Sequence, residues 1–187
     1  VLIDPTVLET LPDATFIDGM AEVIKYGCIK NRGILDMVRM PHYRENIEEL
    51  IYECVKIKRD VVEVDEHDTG LRMILNFGHT IGHAIEKIGN YTAHTHGQAV
   101  AMGMVAAMKI AQQLGTNNDL DDYLSSLLQE VGLLVDLPYP REAIFKALLS
   151  DKKKMGQTVN FILVRSLGRA DIEQIDVETL HQMILSI

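Results

Sequence analysis

The chain has 187 residues, 47% of them hydrophobic, enough to close one sizeable core or one domain with a small appendage. Its net charge of −9 argues against nucleic acid or an anionic membrane surface as a general partner. No apolar stretch reaches the roughly 20 residues of a membrane span, no signal peptide is present, and Cys28 and Cys54 show neither CxxC nor metal-type spacing, which fits free thiols in a reducing cytoplasm.

In chain order, the opening VLIDPT has no initiator Met and begins on an apolar, strand-like VLI, so it reads as a segment entering from a longer protein. Thr10 to Asp13 form a turn, and Pro12 with Asp13 start a helix that runs to about Lys30. Within it Glu22 and Lys25 are three residues apart and share a face, either as an ordinary surface ion pair or as part of a site. A break at Asn31 to Gly33 precedes a short helix from Ile34 to Met40, which Pro41 ends. A long helix follows from about Arg44 to Val64, with Ile47, Leu50, Ile51, Cys54, Val55, Lys58 and Val61 or Val62 along one side. Lys58 lies at the edge of that stripe, snorkelling to water or serving a site. The acidic segment from Glu63 to Gly70 is a loop.

The stretch from Leu71 to Met108 carries most of the chemistry. A helix over residues 72–86 puts Arg72, Asn76, His79 and His83 at i, i+4, i+7 and i+11, in a narrow arc at about 100° per residue. Such groups lose their water when turned toward a packed interior, so something polar, charged or metallic should face them. The H-x3-H pair suits two metal ligands, or one ligand beside an acid/base group. His96 and Gly97 open an apolar run from Ala99 to Met108, read as a fully buried helix in which Ala99, Gly103, Ala106 and Ala107 let neighbouring helices approach. At its N-terminus, free N–H groups make a mouth where an anion could dock.

Downstream, Asn117 to Asp119 cap a helix running to about Val131, and another starts after Pro140. Asp151 to Lys154 form a dense basic patch, either a solvated run or part of a site. The alternation in TVNFILVRSLGRADIEQ predicts a hairpin around Ser166 to Gly168, and a last helix, Val177 to Ile187, packs on the outside. The fold class expected is mainly α with a small β-hairpin.

Five motifs then stand in sequence: GMAEVIKYG at 19–27, K-x6-D-E from Lys58 to Glu66, G-L-R-x3-N-x-G-H-T-x-G-H-A-I-E at 70–86, H-G-Q-A-V at 96–100 and D-K-K at 151–153. In this order, and over nearly the whole chain, they resemble the helical C-terminal domain of the 3-dehydroquinate synthases. The resemblance implies that residues 1–13 lead in from a missing nucleotide-binding domain and that 14–187 form the metal- and substrate-binding domain. It implies that Glu22, His79 and His96 hold a divalent metal, zinc or cobalt. Lys25, Lys58, Arg72, Asn76, His83 and one of Lys152 and Lys153 would hold the carboxylate, hydroxyls and phosphate of a phosphorylated sugar acid. Leu8 and Thr10 would lie in a loop that touches NAD. One carboxylate with two imidazoles leaves coordination positions open, as a catalytic zinc site requires.

The reaction implied is NAD-dependent oxidation of a secondary alcohol, loss of phosphate by β-elimination, return of the hydride and an aldol ring closure. His83 is cast as a phosphate and proton-relay partner. A cytoplasmic homodimer is implied as well, and the isolated chain is expected to lack turnover. The alternatives are another sugar-phosphate cyclase, such as a 2-deoxy-scyllo-inosose or valiolone synthase, a metal-dependent glycerol or alcohol dehydrogenase, or a helical metal-binding module with no chemistry.

Overall fold

The computed structural model describes residues 2–67, 70–116, 119–149 and 157–187. Residues 2 and 3 form no strand: Asp4 caps a 3-10 turn, Pro5–Thr10, by accepting from the Thr6 amide at 3.0 Å, and Pro5 at its start fixes a helical φ. Helix α1 (Asp13–Ile29) begins where the Pro12 carbonyl accepts from Thr15 and Phe16 at 2.9 and 3.0 Å. Asn31 then accepts from the Gly33 amide at 3.0 Å and starts α2 (Arg32–Val38).

A 3-10 turn, Tyr43–Asn46, leads into α3 (Ile47–Val64). The side of α3 that packs inward differs from the expected stripe, which lacks Ile57. Leu50, Ile57 and Val61 are buried, whereas Val55 and Lys58 are exposed. Ile57 falls on the same 3.6-residue line as Leu50 and Val61, and Val55 is rotated off it.

The expected continuous helix over 72–86 is instead two pieces. A 3-10 turn, Leu71–Asn76, is followed by extended Phe77 and by Gly78 at φ +80°, and α4 (His79–Ile88) starts only after that. The break follows from how closely α5 (His96–Gln113) passes. A Cβ on Gly103 would stand 2.0 Å from the Gly78 carbonyl oxygen, and one on Gly78 would stand 2.8 Å from the Val100 carbonyl. Only a residue without a side chain tolerates both that approach and a positive φ.

Helix α5 is the axis of the molecule. Every residue from Ala99 to Met108 is buried, as the apolar run predicts, with α1, α4, α6 (Leu120–Val131) and α8 (Val177–Leu185) packed around it. Helix α7 (Arg141–Leu149) packs between α4 and α8. Strands β1 (Thr158–Ser166) and β2 (Arg169–Asp176) form the predicted antiparallel hairpin, in a register pairing Val159 with Ile175 and Ile162 with Ile172. Its turn is tied to α1 by the Gly168 amide donating to the Cys28 carbonyl at 2.9 Å, and the buried side chains of Phe161, Leu163 and Val164 join the core. Asp176 caps α8 by accepting from the amides of Glu178 and Thr179. Cys28 and Cys54 are free thiols, and among the described residues no helix is long and apolar enough to cross a membrane.

Because the Gly103 contact is backbone on backbone, no side chain can yield to relieve it. Gly103→Ala is therefore expected to lower stability by about 1–3 kcal/mol, read as a fall in the urea midpoint.

Candidate metal centre

Three elements that are distant in sequence converge at one point: Glu22 from the middle of α1, His79 as the first residue of α4 and His96 as the first residue of α5. Their candidate ligand atoms all lie within 4.8 Å of one another. Glu22 Oε1 is 3.4 Å from His79 Nε2 and 3.8 Å from His96 Nε2. The start of α5 is fixed by a capping box between Thr95 and Gln98. Asp18, one turn before Glu22 on α1, reinforces it from outside: its carboxylate accepts from the Thr95 hydroxyl and from the Gln98 amide, the latter at 3.2 Å. Gly97 makes the junction possible, since a Cβ there would meet the Asp18 carbonyl at 2.1 Å. Asp18 thus sets where His96 stands relative to Glu22.

The residues present fit a divalent cation. Glu22 Oε1 is buried and has no hydrogen-bond partner, although it faces two imidazole nitrogens. A buried carboxylate oxygen without a donor is costly, and a cation beside it removes that cost. His79 Nδ1 donates to the Phe77 carbonyl at 3.1 Å, which leaves the Nε2 lone pair directed inward. Burial, and then the nearby Lys25 charge, hold His79 below its usual pKa, so it presents the neutral imidazole that a metal needs. The other Glu22 oxygen, Oε2, takes the Lys25 ammonium at 2.5 Å, and Lys25 is only 3% exposed. Burial lowers the Lys25 pKa, while Glu22 opposes the shift. Burial and then the Glu22 charge push the Tyr26 phenol up to about 12.

His83 stands one turn along α4 from His79, exposed, with its ring centroid 5.4 Å from that of His79 and 6.3 Å from that of His96. Lys58 is exposed on α3, near enough for its charge to act on Lys25. Arg72 donates from its guanidinium to the Glu66 carbonyl at 2.8 Å, while Asp65 accepts from its backbone amide at 3.0 Å. Asn76 is exposed at the end of the 3-10 turn, on the far side of the Gly78 break from His79. Leu8 and Thr10 lie on the first 3-10 turn. Leu8 lines a cleft of about 360 Å3 with Phe16, Arg44 and Ile47, and that cleft shares no lining residue with the histidine cluster. Lys152 and Lys153 lie outside the described residues.

Sequence reasoning passed over two residues. Asp18 stands at i−4 from Glu22, and Glu86 stands at i+7 from His79 and i+3 from His83, so helical spacing alone could have put each on the face of the site. Glu86 Oε1 accepts from His96 Nδ1 at 3.1 Å.

With this geometry established, comparison with known proteins identifies what the chain is similar to. The family model described as 3-dehydroquinate synthase C-terminal matches residues 19–154. A 3-dehydroquinate synthase from Clostridium perfringens is 45% identical over 184 residues, covering 95% of this chain and 53% of that protein. One from Streptococcus sanguinis is 41% identical over 191 residues, covering 98% of this chain and 54% of its own length. The chain therefore spans about half the length of the curated relatives it matches. Two solved structures share the fold. A 2-deoxy-scyllo-inosose synthase complexed with carbaglucose-6-phosphate, NAD+ and Co2+ superposes with a TM-score of 0.80 at 24% identity, over 98% of this chain and 54% of its own. A 2-epi-5-epi-valiolone synthase from Streptomyces hygroscopicus, with NAD+ and Zn2+ bound, gives 0.82 at 20% identity, over 99% of this chain and 54% of its own.

Two outcomes follow from the local chemistry. Asp18→Ala removes an external cap from α5 and is expected to cost about 0.5–2 kcal/mol in a denaturant titration. Separately, as the pH falls below about 6.5, an unfolded chain protonates His79 while the folded chain, with its lowered pKa, does not. Stability should thus be full above that value and decline below it. Denaturant midpoints measured from about pH 8 to about pH 5 should show a shallower decline for His79→Gln.

Proposed function

The chain belongs to the 3-dehydroquinate synthase C-terminal family, and on that premise we propose that it forms the metal- and substrate-binding half of an enzyme making 3-dehydroquinate and phosphate from 3-deoxy-D-arabino-heptulosonate 7-phosphate. That is a lyase step of the shikimate route to chorismate and the aromatic amino acids. The observation that carries the reading is Glu22 Oε1, buried without a partner between the Nε2 atoms of His79 and His96. Glu22, His79 and His96 would hold the metal, zinc or cobalt, and Leu8 and Thr10 would contact NAD. The choice of groups follows the solved neighbours, which hold NAD+ with Co2+ or Zn2+. When bound, the metal supplies Lewis acidity that acidifies a hydroxyl, and NAD supplies a reversible hydride acceptor.

The remaining residues bind and orient. A phosphorylated sugar acid carries about three negative charges, and a chain of net charge −9 must concentrate cations locally to hold it. Lys58, Arg72 and one of Lys152 and Lys153 would meet the carboxylate and phosphate, and Asn76 the hydroxyls. Lys25, buried against Glu22, holds that carboxylate in place and offers its remaining donors to the substrate. His83, exposed beside His79 and His96, would hand a proton between the substrate's phosphate and its ring.

In this reading residues 1–13 lead in from a nucleotide-binding domain and 14–187 form the helical domain, in keeping with the greater length of the relatives. The full enzyme would work in the cytoplasm, where free Cys28 and Cys54 stay reduced, and as a homodimer, for which the family resemblance alone speaks.

Calorimetry with Zn2+ tests the centre. One tight site per chain is expected, and it should be lost in both Glu22→Ala and His96→Ala; tight binding that neither change affects would rule out this ligand set. These 187 residues expressed alone should bind metal yet release no phosphate from the substrate in a colorimetric assay.

A further inference from the structure

Both imidazoles at the centre have Nδ1 anchored, but by different partners. His79 Nδ1 donates to the neutral Phe77 carbonyl, at 3.1 Å. His96 Nδ1 lies 3.1 Å from the carboxylate oxygen Oε1 of Glu86. The surroundings differ in the same way. The His79 side chain is 13% exposed and held by its packing, whereas that of His96 is 47% exposed and has little packing to fix its ring. Glu86 is the reverse, a carboxylate with a side chain only 12% exposed, on an α4 terminus whose position is locked by the Tyr91 amide donating to the Glu86 carbonyl at 2.8 Å.

We propose that Glu86 is a positioning residue, which holds His96 as the Nδ1–H tautomer and keeps its Nε2 lone pair turned toward Glu22. The inference rests on the metal-centre reading given above. The physical case has three steps. A neutral imidazole has one donor and one acceptor nitrogen, and which nitrogen keeps the proton is set by the acceptor it finds. Carboxylates stand on both sides of the ring, but only Glu86 Oε1, 3.1 Å from Nδ1, is at hydrogen-bond distance; Glu22 Oε1 is 3.8 Å from Nε2, so the proton stays on Nδ1 and the lone pair on Nε2. A carboxylate partner that orients a metal-binding imidazole is commonly worth about 10–100-fold in metal affinity. The His79 ring packs edge-on at 5.3 Å between centroids, but among the hydrogen bonds of the described residues Glu86 supplies the one to His96 Nδ1, so the tautomer depends on this contact.

The test uses the 187-residue chain with two readouts. Long-range proton–nitrogen correlation spectra of the metal-free chain report the tautomer of each histidine, and calorimetry with Zn2+ alone reports affinity. In Glu86→Ala the His96 signals should move from a single Nδ1–H form to a mixture, those of His79 should stay unchanged, and the Zn2+ dissociation constant should rise about 10–100-fold. Glu86→Gln keeps a neutral acceptor, so it should preserve the tautomer and recover part of the affinity. Should Glu86→Ala fail to fold by circular dichroism, Glu86→Leu, which keeps the side-chain bulk, gives the same two readouts. An unmoved His96 tautomer, or a Zn2+ affinity in Glu86→Ala equal to that of the parent chain, overturns the proposal. A parent chain that binds no Zn2+ while its His96 tautomer still follows Glu86 would sink the metal reading and leave the orienting role standing.

Discussion

The contact between the α5 backbone and its neighbours governs the rest of the molecule. At Gly103 the helix lies against the Gly78 carbonyl, and at Gly97 it lies against the Asp18 carbonyl. Neither place has room for a Cβ, so α4 and α1 approach α5 as bare backbone rather than through interleaved side chains. That closeness breaks the chain at Gly78, makes His79 the first residue of a new helix and brings His96 within reach of Glu22. The Asp18 carboxylate finishes the arrangement by capping one helix from another. Van der Waals contact between backbones has no soft direction, so the separation of the candidate ligands is set by packing rather than by flexible side chains.

Within that frame the charges are arranged unequally around one carboxylate. Oε2 of Glu22 is satisfied by Lys25, an ammonium so buried that desolvation lowers its pKa, while Oε1 has no donor. The pair therefore neutralises one side of the carboxylate and leaves the other facing two imidazoles. The low dielectric that makes the orphan oxygen expensive also makes the Lys25 contact strong, which keeps Glu22 from rotating to satisfy Oε1 elsewhere. Burial pushes the Cys54 thiol, near the same charges, up to about 12, so no thiolate forms at neutral pH to compete as a ligand.

Much of this was legible in the sequence where a signal is local. The apolar run from Ala99 to Met108 announces a buried helix because no surface helix lacks a polar face over ten residues, and the alternation on either side of Leu167 and Gly168 announces the hairpin. The Gly78 break is not legible: a glycine inside a helical period is tolerated often enough that spacing alone favours continuity, and the helix that forces the break begins only at His96. Convergence of Glu22 with the two histidines is a long-range fact that periodicity does not carry; only the family resemblance of the motifs implies it. Glu86 lies within a motif but carries no signal of its own, because a glutamate in the last turn of a helix reads as ordinary surface charge until its partner on α5 is seen. On α3 the sequence stripe takes in exposed Val55 and leaves out buried Ile57, since the two are equally apolar and only packing separates them.

The interruption at Gly78 also divides responsibility along the chain. Upstream of it, Arg72 and Asn76 ride on a 3-10 turn tethered to Asp65 and Glu66; downstream, His79 and His83 ride on a helix tethered to α5. A continuous helix would transmit any repacking of the turn into the heading of the histidines, rotating each by the same angle. The break at Gly78, clamped against α5, uncouples the two. Substitutions in the turn can therefore reshape the surroundings of Arg72 and Asn76 without shifting the register of the imidazoles, so that the two halves of one short sequence become separately evolvable.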